Sequence, residues 1–506
     1  MATNAVSENT LNTRYSGILV HPTSFPGPYG IGDLGPAAKD FIDFLHKAGQ
    51  KLWQVLPLGH TGFGNSPYQS YSSFAGQIIL ISPDLLVEEE LLTKDDLNPI
   101  PEWESPYKAE YDNVFAFKDK LFQIAFKNFK KASNKKMQAE YESWLQDNSW
   151  VDDYALFMAL KKAHKGVAWQ EWDEEYLHPT DELRALWNTT YKEDTDYYRF
   201  LQFLFFRQWF ALKDYANELG ISIIGDIPIF VASDSCDAWA NQHLFQLEKD
   251  GYPTCVAGVP PDYFSATGQL WGNPLYDWKA HKAQDYEWWI QRVKHQLTLC
   301  DYLRIDHFRG FAAYWSVPYG EETAVNGKWV KGPGKNLFRA IENALGEDLP
   351  IIAEDLGIIT PDVEKLRDDF HFPGMKVLQF AFDSPQENAF LPHYYPYNCV
   401  CYSGTHDNDT TKGWYETIRD ESREKLLHYT RTNGDDMGWD FIRLAWGSVA
   451  KMAIVPLQDV MCMGSDARMN VPGTANGNWE WRYTKELLKE DYAHGLLELT
   501  RVYGRL

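Results

Sequence analysis

The sequence predicts an α/β fold, a (β/α)8 TIM barrel with a largely helical insertion between strands 2 and 3 and with further loop insertions. Three observations support this prediction. Eight short runs of aliphatic and β-branched residues occur along the chain, and amphipathic segments separate most of them. Acidic side chains stand at the ends of several runs, and barrel enzymes build their sites at the carboxyl ends of several strands. The 506 residues are enough for one barrel with insertions.

The eight runs are predicted to be buried parallel strands, because they are too short for helices and most are bounded by Gly, Pro or Asp. They cover residues 17–20, 52–58, 221–230, 299–305, 351–354, 375–382, 399–404 and 452–457. Helices are predicted from periodicity or start signals at residues 36–48, 287–299, 336–345, 360–368 and 411–429. This alternation is typical of βαβ units, although it would equally permit an open doubly wound sheet.

The connection between the second and third predicted strands is unusually long. Roughly 160 residues separate these strands, where a βα unit needs far fewer. Residues 65–220 are therefore assigned mainly to a largely helical insertion subdomain. The whole chain, residues 1–506, is expected to form a single catalytic barrel that carries this insertion.

Composition narrows the possible partners and the compartment. The 48 basic and 71 acidic residues give a net charge of −23, which repels phosphate backbones and anionic lipids. We therefore expect no nucleic acid and no membrane partner, whereas the 20 Trp, 29 Tyr and 28 Phe include rings that suit neutral sugars. The six cysteines form no CxxC pair, and no signal peptide or run of 18 apolar residues is visible, so we expect a cytoplasmic protein with reduced thiols.

Carboxylates stand at three predicted strand ends. Asp306 ends the fourth strand, Glu354 ends the fifth, and Asp407 follows the seventh. Cleavage of a glycosidic bond needs one carboxylate at the anomeric carbon and one carboxylic acid that protonates the leaving oxygen. Arg304 lies two residues before Asp306 on a strand, so it can face that carboxylate and keep it ionised. We expect Glu354 to stay protonated, because neighbouring carboxylates in a water-poor site raise its pKa.

A single acidic residue of this kind also has a purely structural interpretation. An Asp at a strand end is often the N-cap of the next helix, and a Glu-Asp pair usually lies on the surface. The combination is more specific, because Asp226 lies toward the end of a further predicted strand and His406 directly precedes Asp407. Four such positions at one end of successive strands favour a catalytic site.

Other patterns give no support to nucleotide or metal chemistry. Gly30, Gly32 and Gly35 fit GxGxxG, but about ten residues separate them from the strand, where a dinucleotide site requires a tight turn. In a dinucleotide site an acidic residue near the end of the second strand binds the ribose, and no such residue follows the second predicted strand here. Residues 327–335 lack the Gly-Lys-Ser/Thr of a phosphate-binding loop, and the histidines show no HExxH spacing. We expect neither a cofactor nor a metal.

Several long strings resemble a known family. They include GILVHPTSFPGPYGIGDLG near the start, then LRIDHFRG, IIAEDLG and GTHDNDT around the carboxylates, and MNVPGTANGNWEWR near the end. The chain resembles the 4-α-glucanotransferases of the amylomaltase or disproportionating-enzyme type, a branch of the α-amylase clan, over nearly its whole length. This resemblance implies transfer of an α-1,4-glucan segment to the 4-hydroxyl of another glucan or of glucose, by a retaining double displacement through a covalent glycosyl-enzyme.

The resemblance also implies roles for individual residues. Asp306 is expected to be the nucleophile, Glu354 the acid/base, and Asp407 a carboxylate that grips sugar hydroxyls, with Arg304 and His406 around the same ring. Further substrate-binding residues are expected at Tyr68, Asp262, Tyr263, Phe264, Trp271, Asn470 and Asn478. Residues 250–280 are expected to form an active-site lid, because an apolar cover would exclude water and offer stacking to a sugar.

The implied partners are maltooligosaccharides and α-glucans of the starch or glycogen type, and the implied state is a monomer or a weak homo-oligomer. Two alternatives stay open at this point. A glycosidase of the same clan would hydrolyse the glucan, which three carboxylates alone do not exclude. A glucan-binding protein on a degenerate barrel would show no activity. Products from maltotriose separate these cases, because transfer gives glucose with longer oligomers and hydrolysis gives more reducing ends.

Overall fold

The computed structural model describes residues 13–131, 135–261, 265–382 and 388–506. Twelve β-strands lie within these residues. They are β1 Tyr15–Leu19, β2 Leu52–Gln54, β3 Ser222–Pro228, β4 Cys255–Val259, β5 Gln269–Pro274, β6 Tyr302–Asp306, β7 Ala313–Pro318, β8 Lys328–Lys331, β9 Ile351–Ala353, β10 Gly374–Val377, β11 Cys399–Tyr402 and β12 Met452–Pro456.

Eight of the strands form one parallel sheet, in the order β10-β11-β12-β1-β2-β3-β6-β9. The two ends of this sheet meet, since the Ala353 N–H of β9 donates to the Pro373 carbonyl just before β10 at 3.0 Å. Each of the eight predicted runs overlaps one of these strands, and the predicted (β/α)8 TIM barrel is confirmed. The strands are almost wholly buried, as expected when helices cover a parallel sheet.

Seventeen α-helices lie in the part of the chain that the structure describes. They are α1 Pro36–Lys47, α2 Pro83–Glu88, α3 Tyr111–Lys131, α4 Lys135–Asp147, α5 Trp150–Ala163, α6 Asp181–Thr190, α7 Lys192–Glu218, α8 Cys236–Ala240, α9 Trp278–Ala283, α10 Glu287–Leu299, α11 Lys335–Leu345, α12 Pro361–Asp369, α13 Thr411–Thr417, α14 Asp420–Thr430, α15 Met437–Gly447, α16 Leu457–Val460 and α17 Glu490–Val502.

Some predicted boundaries were wrong. The single helix predicted over residues 411–429 is two helices, because Ile418 and Arg419 adopt extended backbone angles between α13 and α14. The strand predicted over residues 375–382 ends at Val377, and the apolar run continues as the 3-10 turn Leu378–Ala381. Apolar periodicity does not separate a short strand from the turn that follows it, because both are buried.

Helices α2 to α7 lie between β2 and β3. The long helix α7 packs on the barrel through Trp209, whose ring centroid lies 6.0 Å from that of Trp53 in β2. The Trp209 indole N–H also donates to the Leu299 carbonyl at 3.0 Å. Helix α5 of this region shares a second apolar cluster, which includes Tyr154 and Trp239, with α8, a helix that follows β3. Helix α7 therefore joins the ring of helices around the barrel.

The other four strands form an antiparallel sheet, which we call the side sheet, in the order β5-β4-β7-β8. Strands β4 and β5 lie within residues 250–280, where a lid was predicted, and β7 and β8 follow β6. The N–H of Ala324, between β7 and β8, donates to the Thr267 carbonyl at 3.1 Å. The Trp271 ring of β5 lies 4.8 Å from the ring of His307, the residue after β6, so the side sheet lies next to the carboxyl end of β6.

The helices and the cysteines bear on the predicted compartment of the protein. Among the described residues, no helix is both long enough and apolar enough to span a membrane. All six cysteines lie in the described ranges and are free thiols.

Candidate active site

A buried arginine organises the carboxyl ends of β3 and β6. Arg304 is 4% exposed, and its Nη1 donates to both carboxylate oxygens of Asp226, at 2.7 and 2.6 Å. Its Nη2 donates to Asp306 Oδ1 at 2.8 Å. Because β3 and β6 pair with Asp226 opposite Arg304 and Pro228 opposite Asp306, the strand register itself places these groups. One guanidinium therefore fixes two carboxylates at the same rim of the barrel.

Asp226 connects this cluster to Tyr68. The Tyr68 hydroxyl donates to Asp226 Oδ2 at 2.7 Å, and its ring stacks on the His406 ring at 5.1 Å with an interplanar angle of 20°. Burial raises the pKa of Asp226, and the Arg304 guanidinium counters part of that rise. Sequence reasoning placed Asp226 at a strand end but gave it no role, because its contacts with Arg304 and Tyr68 depend on strand order.

Asp306 and Glu354 end neighbouring strands. Ile305 of β6 is in register with Ala353 of β9, so the next residue of each strand lies at the same end of the barrel. The Glu354 N–H donates to the Ile305 carbonyl at 3.1 Å, which extends the pairing by one residue. The Asp306 side chain is 31% exposed, so it is accessible from solvent while Arg304 holds it.

Glu354 is held by backbone groups and is more deeply buried than Asp306. Its Oε2 accepts the His307 N–H at 2.7 Å, and its Oε1 accepts the Leu356 N–H at 2.8 Å. Burial, and then the negative charge of Asp306, raise the pKa of Glu354 to about 8. The carboxyl group is therefore mostly protonated at neutral pH, which is the state that a general acid requires.

His307 supports Glu354 through its backbone. Its φ of 53° is in the left-handed region, which turns the chain sharply after β6 and directs the His307 N–H at Glu354. The Trp271 ring of β5 meets the His307 ring edge-on, with centroids 4.8 Å apart. Burial lowers the pKa of His307 to about 4, so the imidazole is neutral. The sequence carried no signal for this residue beyond its place next to Asp306.

Asp407 lies on the loop after β11 and is much more open, with 48% of its side chain exposed. The Asn470 side-chain amide donates to Asp407 Oδ1 at 2.6 Å, and His406 Nε2 lies 3.4 Å from the same oxygen. Arg468 donates to the Asp407 backbone carbonyl at 2.6 Å. This carboxylate is therefore oriented by loop residues and faces solvent.

The structure brings most of the predicted site residues together, but not all of them. Asn478 fastens its own loop instead, since its side chain accepts the Val471 N–H and donates to the Thr474 carbonyl, both at 2.9 Å. Asp262, Tyr263 and Phe264 lie outside the described residues.

The site residues form two groups. The inner wall is Asp226, Arg304, Asp306 and Glu354, and the outer wall is Trp271, Asp407 and Asn470.

A parallel barrel with two carboxyl groups at one rim, one bound to a buried arginine and one with a raised pKa, defines a class of protein. Such a pair is the arrangement with which enzymes break and form glycosidic bonds. Within the described ranges, no group of three or more His, Cys, Asp or Glu side chains is placed to hold a metal ion.

Comparisons with known proteins identify the family. A family model described as 4-alpha-glucanotransferase matches residues 20–488. The 4-alpha-glucanotransferase of Synechocystis sp. is 51% identical over 499 residues, 98% of this chain and 99% of that relative. The one from Clostridium butyricum is 47% identical over 490 residues, 96% of this chain and 100% of that relative. The amylomaltase from Streptococcus agalactiae in complex with acarbose matches with a TM-score of 0.94 and 42% identity, over 97% of this chain and 100% of that one.

The chain therefore belongs to the 4-alpha-glucanotransferase family. The resemblance and the predicted enzyme class are confirmed.

Proposed function

We propose that this 4-alpha-glucanotransferase works by a double displacement between Asp306 and Glu354. The Asp306 carboxylate attacks the anomeric carbon of an α-1,4-glucan while Glu354 donates its proton to the departing oxygen. A glycosyl–Asp306 ester forms, and the shortened glucan leaves. Glu354, now ionised, takes the proton from the 4-hydroxyl of an acceptor sugar, whose oxygen displaces Asp306 and restores the α configuration.

The remaining inner-wall residues support these two roles. Arg304 donates to Asp306 at 2.8 Å, which orients the carboxylate for attack. Asp226 takes the other side of the same guanidinium and so compensates its buried charge. Tyr68, which donates to Asp226, fixes that carboxylate and offers its ring beside His406.

The outer wall is proposed to hold the sugar and to limit water. Asp407 has a free oxygen and an exposed side chain, so it can accept hydrogen bonds from sugar hydroxyls. Trp271, packed on His307, covers the carboxyl end of β6 with an apolar ring. Exclusion of water favours transfer over hydrolysis, because water competes with the acceptor hydroxyl for the glycosyl-enzyme. This covering role is our proposal for residues 250–280.

The proposed substrates are maltooligosaccharides and α-glucans of the starch or glycogen type, and the proposed setting is carbohydrate metabolism in the cytoplasm. The Streptococcus agalactiae relative was solved with acarbose bound, which supports a sugar ligand. Free thiols at all six cysteines of the described chain suit a reducing compartment. We propose a monomer or weak homo-oligomer, with no nucleic acid, membrane or cofactor requirement.

One observation carries the proposal, namely that the carboxyl ends of neighbouring strands hold two carboxyl groups in different surroundings. Arg304 donates to Asp306, whereas Glu354 is buried and accepts two backbone N–H groups. The test is to incubate the pure protein with maltotriose. Glucose together with oligomers longer than maltotriose is expected. Products no longer than the substrate, with a rise in reducing ends, would instead show a hydrolase, and absence of any product would favour a binding protein.

A further inference from the structure

Trp329 is exceptional among the tryptophans of this chain. There are 20 tryptophans, and all of them lie within the described residues. Trp329, on the edge strand β8 of the side sheet, is 41% exposed, and the others are buried or half-buried. A single exposed apolar residue is ordinary on a protein surface. A large indole that is both exposed and held in a fixed orientation is a stronger indication of a binding role.

Two contacts hold the Trp329 ring. The guanidinium of Arg309, which is only 7% exposed, lies 3.9 Å from the Trp329 ring centroid. Trp315 of β7 meets the ring at 5.2 Å with an interplanar angle of 69°. Arg309 is itself held, since its Nη1 donates to the Ile358 carbonyl at 2.5 Å. Because one face rests on a buried cation, the exposed part of the indole is the opposite face.

This ring stands close to the catalytic rim. Arg309 follows Asp306 by three residues, so their Cα atoms are no more than about 11 Å apart. Ile358, to which Arg309 is bonded, follows Glu354 by four residues and is 56% exposed. Arg309, which holds the Trp329 ring, and Ile358, which holds Arg309, therefore lie on the two loops that directly follow the proposed nucleophile and acid.

We propose that the exposed face of Trp329 stacks on a glucose ring of a bound α-glucan and forms an outer glucan-binding site next to the cleft. This inference rests on the proposed function, because it assumes that a glucan chain enters between Asp306 and Glu354. A pyranose presents a C–H face to an indole and hydroxyl groups at its edge, so one rigid ring is a sufficient platform. Long chains reach the platform, and short ones fill only the cleft.

A protein partner suits this surface less well. Lys328 and Lys331 flank Trp329 on the same strand and are exposed, and lysine is depleted at protein interfaces. A stable interface also needs about 800 Å² from each partner with an apolar centre, which one indole does not supply. A neutral sugar chain that continues from the adjacent cleft needs only the ring.

The test compares Trp329→Ala with the parent enzyme on two substrates, maltotriose and maltoheptaose. The KM for maltoheptaose is expected to rise about fivefold, the effect of losing one aromatic contact. The kcat for both substrates and the KM for maltotriose are expected to stay within about twofold. Trp329→Phe, which keeps a flat ring, is expected to recover most of the affinity for maltoheptaose.

The matched control is Tyr394→Ala. Tyr394 is 47% exposed and lies shortly before β11, at the opposite end of the barrel from the catalytic rim. It is expected to leave both KM values unchanged. An unchanged KM for maltoheptaose in Trp329→Ala, or an equal rise for both substrates, would overturn the outer site. So would a dimer, measured by sedimentation, that Trp329→Ala dissociates.

Failure of this inference and failure of the proposed function give different results. If the parent enzyme converts maltotriose to glucose and longer oligomers while Trp329→Ala matches it on maltoheptaose, only the outer site is wrong. If the parent enzyme makes no longer oligomers, the transferase mechanism itself fails.

Discussion

The inner wall lies on barrel strands or directly at their ends, whereas the outer wall lies on the side sheet and on loops. Arg304 and Asp226 of the inner wall are buried to 4% and 2% exposure, and each bonds to fixed neighbours. The Asp407 side chain of the outer wall is 48% exposed and is oriented by a loop asparagine. The two walls therefore experience very different dielectric surroundings.

This difference separates two tasks. Charge state can be controlled only where water is scarce, because burial and nearby charges shift a pKa strongly there. Contacts with sugar hydroxyls, in contrast, must be exchangeable with water as chains enter and leave. We therefore expect changes in the inner wall to act mainly on kcat, and changes in the outer wall to act mainly on KM.

The largest expected effect is that of Asp306→Asn. An amide cannot form the glycosyl ester, so both transfer and hydrolysis are expected to fall by at least about 10⁴-fold. Product formation from maltotriose measures this directly. Asp181→Asn, at a side chain that is 97% exposed on α6, is the matched control and should keep full activity. Substantial turnover by Asp306→Asn would remove this residue as the nucleophile.

A smaller but still large effect is expected from Asp226→Asn. Asn keeps the shape, but Arg304 then has one charged partner instead of two, which leaves buried positive charge less compensated. We expect kcat to fall about 10- to 100-fold with little change in KM, and the unfolding free energy to fall by about 3 kcal/mol. Denaturant unfolding and steady-state kinetics measure the two quantities. A change confined to KM would contradict the expectation that inner-wall residues act mainly on kcat.

The pH dependence tests the charge state of Glu354. A carboxyl group is protonated below its pKa, and the pKa of Glu354 is raised to about 8 by burial and by the charge of Asp306. The value of kcat/KM should therefore hold through neutral pH and decline about tenfold per pH unit above roughly pH 8. Glu354→Gln should lack this decline at its low residual activity. A decline in the parent enzyme already at pH 5 would show an ordinary carboxyl group.

The smallest effect is expected from the outer wall. Asn470→Ala removes the amide that orients Asp407 at 2.6 Å, although His406 still lies 3.4 Å from the same carboxylate oxygen. We expect KM for maltotriose to rise about fivefold, the value of one hydrogen bond of roughly 1 kcal/mol, with kcat nearly unchanged. A drop in kcat as large as that of Asp226→Asn would show that outer-wall residues control kcat as well as KM.

The same contrast explains what the sequence could predict. The barrel strands and the carboxylates at their ends followed from short buried runs, because strand geometry is local and repeats along the chain. The side sheet was not predicted. Its strands come from two insertions on either side of β6, and the sequence does not show which of them pair. The bond between Asn470 and Asp407 spans 63 residues, and the role of Asp226 depends on β3 lying beside β6. Such contacts follow from tertiary structure alone.

The central claim is that Asp306 carries the glycosyl group between donor and acceptor. The most direct measurement uses Glu354→Gln with an α-maltosyl fluoride, whose fluoride leaves without a protonating acid. Because this variant lacks the base that activates the acceptor, the covalent intermediate should accumulate. Peptide mass spectrometry is expected to find the added maltosyl group on Asp306. A maltosyl group on another residue, or turnover of the fluoride with an inverted product, would contradict the account.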